Sequence, residues 1–137
     1  MPRYKRQKYD ARDQLIKLGF TYDEADSLLR AANRLHRWHE LECGTDQGCV
    51  QRDEDSGELQ WYVNTGRRSR WIPYTGPDYE TLALRRIKKI MAAHPHLSYY
   101  VQGDPRGCAL YILRPGDVPE GQNADAYYSR GIAVYKE

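Results

Sequence analysis

The sequence predicts an α+β domain, an N-terminal helical hairpin followed by an antiparallel sheet of four or five strands crossed by one helix. Three observations carry that expectation. Apolar residues recur at helical spacing in Ala25, Leu28, Leu29, Ala32 and Leu35, and again in Leu82, Ala83, Ile87, Ile90 and Met91. Segments rich in β-forming residues flank turn sequences at 54–57 and 104–107. The chain's 137 residues are one domain's worth, enough for a single core.

Each element has its own signals. Residues 1–9 carry four bases and no periodicity, which reads as a flexible basic arm ahead of a single domain over 10–137. Within that domain the helical hairpin spans 10–43 and the sheet with its helix spans 49–137. Asp10 caps a short helix through Leu18, which Gly19 ends. Thr21 and Glu24 form a capping box for a long helix over about 22–42, stopped by Gly44. Strands at 50–53 and 59–64 flank an acidic turn with Gly57 at its restart position. Residues 65–76 read as a basic loop. Pro77 and Asp78 open a third helix, carried to about Ala93 and closed by Pro95. A hairpin follows whose turn is Asp104-Pro105-Arg106-Gly107: Asp suits the first position, Pro presets φ at the second, and Gly takes a positive φ. Residues 114–126 are rich in turn formers and read as loop, with a last strand ending at Tyr135.

Composition bounds the function. With 40% hydrophobic and 29% charged residues the chain has ordinary globular composition. No apolar run approaches the roughly 18 residues of a membrane span, and no apolar stretch follows the basic start as a secretory signal would require. The expected setting is the cytoplasm of whatever cell makes the protein. Three cysteines, an odd number, fit a reduced environment, with a Cys43–Cys49 pair left open. The net charge of +2 is small but unevenly spread: residues 41–60 sum to −5 and residues 61–92 to +5. These blocks either pair with each other or leave one surface positive. Twelve tyrosines against one phenylalanine predict many half-exposed rings, suited to contact surfaces including a homodimer interface.

Three constellations bear on chemistry. Placed at 100° intervals, Cys43 falls at the angle of Ala25, with His36 about 20° to one side and His39 about 40° to the other. His36, His39 and Cys43, with Cys49 swinging back, make a chemically sound tetrahedral zinc set, though the spacing is not a standard one and a helical face can bury histidines without metal. Zinc is the single cofactor considered, and the expectation is none. His94 and His96 suit capping of a helix end. The second constellation is basic: Arg67, Arg68 and Arg70 beside Trp71 and Tyr74, with Arg85, Lys88 and Lys89 on the polar side of the third helix. Arginine bonds phosphate oxygens bidentately, lysine adds point charge, and aromatic rings stack unpaired bases. The third is Arg106, held out at a turn tip. Phosphate-cradling, dinucleotide-binding, nucleophile-elbow and metalloprotease motifs are all missing, which argues against an enzyme.

Arg37-Trp38 with Glu40, Glu42 and Cys43, then Gln51-Arg52-Asp53-Glu54 with Ser56-Gly57, then Asp78-Tyr79-Glu80 before Leu84-Arg85-Arg86, and finally residues 102–107 with Leu110-Tyr111, resemble small accessory proteins of tailed phages and prophages. The likeness spans about residues 34–113 and carries no known activity. It implies a context in which small basic DNA-associated proteins and inhibitors of bacterial defence, anti-CRISPR proteins among them, are common. The expected function is therefore non-catalytic nucleic-acid binding through the basic surface. The alternative is docking on a host protein complex that handles nucleic acid, and a zinc-dependent fold or enzyme stands behind both.

Overall fold

The computed structural model describes residues 10–44, 48–64, 66–102 and 110–134. The basic arm, the turn holding Arg106 and the end of the last expected strand lie outside those residues.

Capping chemistry sets the helices. The Asp10 carboxylate accepts from the Asp13 N–H at the start of α1 (Ala11–Lys17). At α2 (Tyr22–Cys43) the full capping box is present: Thr21 Oγ1 accepts from the Glu24 N–H at 3.1 Å, and Glu24 Oε1 accepts from the Thr21 N–H at 2.9 Å. Gly44 then turns the chain at φ 95°, a conformation glycine reaches without a Cβ penalty. Asp78 caps α3 (Tyr79–Ala92), accepting from the Thr81 N–H at 3.0 Å and the Thr81 hydroxyl at 2.8 Å.

The α+β class is as the sequence predicts, but the strands divide into two three-stranded antiparallel sheets instead of forming one sheet of four or five. The first is the meander β1 (Gly48–Arg52), β2 (Leu59–Asn64) and β3 (Ser69–Pro73). The second is β4 (Ser98–Val101), β5 (Leu110–Leu113) and β6 (Ile132–Val134). Part of the expected 65–76 loop is β3, paired to β2 with Trp71 opposite Tyr62 and Ile72 opposite Trp61. Arg67, Arg68 and Arg70 with the preceding Gly66 gave it a loop composition, whereas the β-forming Trp71-Ile72 pair meets ready cross-strand partners.

One core joins the helices to the second sheet. Leu15 and Phe20, the α2 stripe of Ala25, Leu28, Ala32 and Leu35, and Ala83, Ile87, Ile90 and Met91 of α3 pack together with Leu110, Ile112 and Val134. The helices α2 and α3 run antiparallel. At one end His94 Nε2 meets Glu24 Oε2 at 3.0 Å with its ring 4.2 Å from that of Phe20; at the other, Arg52 of β1 reaches Asp78 at 2.9 Å and Glu80 at 3.9 Å, close to Glu42 of α2. At 22 residues, α2 is about 33 Å long, long enough for one sheet to sit against each half.

The bonds at the helix ends set the acid response. The Thr21 N–H acts most strongly on the Glu24 carboxyl; burial opposes it, and with His94 added the hydrogen bonds prevail and hold the group below its ordinary value. At Asp78 burial acts to raise the carboxyl, but the Thr81 N–H and the Arg52 guanidinium outweigh it and hold it low. A carboxyl lowered on folding stabilises fully above its unfolded value near 4 and loses that contribution as pH falls through its folded value. Replacing Glu24 by Gln, which keeps the cap's hydrogen-bonding shape, is expected to cost about 1 kcal/mol at neutral pH. Denaturant titrations at descending pH should show the variant losing less stability below pH ~4 than the native chain does.

Candidate nucleic-acid interface

The first sheet has two unlike faces, because alternate residues of a strand point to opposite sides. Val50, Trp61 and Ile72 stand in register on one of them, and Val50 is fully buried against α2. There Trp38, 2% exposed, meets the Tyr74 ring edge-on at 6.2 Å, and Tyr74 stacks on Trp61 at 6.3 Å. The Tyr74 hydroxyl donates to the Pro77 carbonyl at 2.9 Å, and burial, followed by Tyr79 and Asp78, pushes its pKa up. Gly76 makes this closure feasible, since a Cβ there would collide with the Tyr74 ring. Tyr74, expected to stack on a partner, is instead engaged inside the molecule.

The other face carries Cys49, Tyr62 and Trp71 in register, flanked by the row Gln51, Gln60 and Pro73. Tyr62 and Trp71 lie 5.0 Å apart at 51°, and Trp71 is 46% exposed. β3 is one of the sheet's two edge strands and is exposed along its whole length. Arg67 and Arg68 sit in the turn that leads into it, and Arg70 follows at the pair with Val63. An aromatic pair at the edge of a flat face, with guanidinium groups at one end, can stack an unpaired base and bond the phosphates beside it.

Arg85, Arg86, Lys88 and Lys89 are all exposed on α3, opposite the buried stripe of Ala83, Ile87, Ile90 and Met91. They do not extend the β3 patch. Because α3 starts beside Arg52 and Glu42 and ends beside Glu24, its second and third turns run away from the first sheet. The structure thus sets the basic residues on two surfaces, one at the β2–β3 end of the sheet and one along α3. Arg106 lies outside the described residues.

The expected zinc set does not share one face. The buried stripe of α2 centres on Leu28 and Leu35, with Ala31 and Trp38 widening it to one side, so His36 falls roughly a quarter turn away. His36 Nε2 pairs with Glu40 Oε1 at 3.1 Å on the surface, while His39 is buried. Cys49 lies on the Tyr62 face of β1, opposite to Val50. The side chain of Cys43 is outside the described residues, among which no three His, Cys, Asp or Glu groups converge on a metal position.

Sequence reasoning missed a cleft of about 710 Å³ between α1, α2 and the start of α3. Arg30, Arg34 and Arg37 line it from successive turns of α2, facing Arg12 of α1. The signal was legible as arginines at i, i+4 and i+7; what α1 contributes from across the turn was not.

No family model, no curated protein and no solved structure matches this chain.

Trp38 and Trp71 give opposite expectations for stability. Trp38→Ala, emptying a buried site, should cost about 3–5 kcal/mol. Trp71→Ala should cost only about 0.5–1.5 kcal/mol, the worth of its cross-strand pairing with Tyr62. Equilibrium unfolding in urea measures both, and a large loss for Trp71 would mean that its face is covered.

Proposed function

We propose that this chain is a non-catalytic nucleic-acid-binding protein, with the first sheet's open face as its principal contact and the basic side of α3 as a second electrostatic surface. One observation carries the reading: Trp71 stands exposed against Tyr62 on one face of the sheet, with Arg67 and Arg68 in the turn that leads into its strand. Stacking of a base on an aromatic ring tolerates any sequence, and arginine binds the backbone without reading it. The expected preference is therefore for single strands, with little base specificity. The resemblance to phage accessory proteins supports the same context.

A host protein partner is the second reading, and the edge strand favours it. β3 leaves one side of its backbone unpaired by any described strand, with Trp71 and Ile72 exposed along it. Salt separates the two, since phosphate neutralisation makes affinity fall linearly in log units with salt.

Fluorescence anisotropy with labelled single- and double-stranded DNA and RNA over a salt series is the test. Single-strand binding should be steep in salt. Trp71→Ala should weaken it about tenfold, as loss of one stacked base does, and Arg85→Glu with Lys89→Glu should weaken all sequences alike. No binding at low salt would reject the nucleic-acid reading and direct attention to a protein partner for β3.

A further inference from the structure

We propose that the cleft between α1 and α2 is a phosphate-binding site, with Arg34 and Arg37 as its principal ligands and room for a nucleotide. The proposal is independent of the sheet-face reading, because the two surfaces share no residue.

The cleft has the geometry of a built site. Arg12 is fixed before any ligand arrives: its Nη2 bonds Asp26 Oδ1 at 3.1 Å, and its guanidinium lies 4.8 Å from the centre of the Tyr22 ring. Arg30 Nε takes the other oxygen of Asp26, also at 3.1 Å. One carboxylate therefore orients two guanidinium groups and neutralises only one of their charges. Arg34 and Arg37 continue the same side of α2, and no described carboxylate bonds either of them. Asn33 adds an amide between them, and Tyr79 adds a ring from the first turn of α3.

The chemistry of the opening follows from this surplus. Guanidinium forks match the paired oxygens of a phosphate, and several at helical spacing match successive phosphates better than a single carboxylate. The volume of about 710 Å³ lies in the range of small-ligand sites, roughly 300–1,000 Å³, which a nucleotide fills. Phosphate ester groups can come from a free nucleotide or from a nucleic-acid strand, and both present the same oxygens to Arg34 and Arg37.

Isothermal titration calorimetry at low salt with two probes, ATP and a single-stranded oligonucleotide, separates the sources. The variants are Arg34→Ala with Arg37→Ala, and Trp71→Ala as a comparison; all three side chains are exposed, and circular dichroism checks the fold. The cleft pair should weaken ATP binding about tenfold or more, the loss of charge-assisted bonds, while Trp71→Ala leaves it unchanged. If only the oligonucleotide binds and the cleft pair weakens it, the phosphates belong to a strand. If ATP binds through the cleft and the oligonucleotide does not bind at all, the site stands and the sheet-face reading fails. Equal binding of both probes by the native chain and the cleft pair, or binding of neither, overturns the proposal.

Discussion

The antiparallel packing of α2 on α3, with a capping carboxylate tied to a distant partner at each end, is the constraint on which the other elements hang. Glu24 does two tasks at the first end, completing the capping box of α2 and receiving His94 from just beyond α3. Asp78 does two at the other, capping α3 and receiving Arg52 from β1. Because each carboxylate closes a helix end and bonds a distant partner, helix formation and tertiary docking are coupled, and neither end can fray without loosening the other. The first sheet is attached through β1 at the Asp78 end, and the second sheet buries Leu110, Ile112 and Val134 against the body of the same helices.

The two sheets differ in what covers them, and that difference selects the candidate interface. The inner face of the second sheet is core, and its outer face is roofed by the segment after β5. Tyr128 stacks on Tyr100 at 4.7 Å and stands edge-on to Tyr111 at 5.0 Å, while Arg114 binds Asp117 at 2.9 Å and donates to the Arg130 carbonyl at 3.1 Å. Much of the tyrosine surplus is therefore used in packing rings on one another. The first sheet has α2 on one side and, among the described residues, no comparable roof over the Tyr62–Trp71 pair on the other.

Local rules made the helices legible. The caps at Asp10, Thr21 and Asp78 and the stop at Gly44 fall within a few residues of the sequence and appear where spacing predicts them. β2 was legible for the same reason, as a β-rich run beside an acidic turn. What failed depended on distance in sequence. The division into two sheets depends on how α2 and α3 dock. β3 looked like a loop because Arg67, Arg68 and Arg70 outweighed Trp71 and Ile72 in composition, although pairing with β2 decides the matter. His36 was placed on the buried face because the stripe was centred on Ala25, whereas Trp38 moves that centre towards Leu35. Tyr74 was read as a free ring because only the fold brings Trp38 and Trp61 to it. The arginine cleft needed α1 folded back across α2.

Charge placement explains how a chain of net +2 can still present a directed electrostatic surface. The acidic turn between β1 and β2 is satisfied locally, with Asp53 accepting from the Asp55 N–H at 3.1 Å and the Ser56 hydroxyl at 3.1 Å. The basic turn holding Arg67 and Arg68 is at the other end of β2, a six-residue strand and so about 20 Å away. That separation exceeds the screening length of about 10 Å at 0.1 M salt, so the two turns do not cancel each other. The acidic turn at 53–58 and the basic turn at 67–68 are thus opposite poles of one small sheet, while the remaining bases of the 61–92 block lie mainly along α3. On the proposed reading, a polyanion lying on the Tyr62–Trp71 face would be drawn to the Arg67–Arg68 turn and repelled from residues 53–58, so the sheet that would supply the stacking rings would also set the direction of approach.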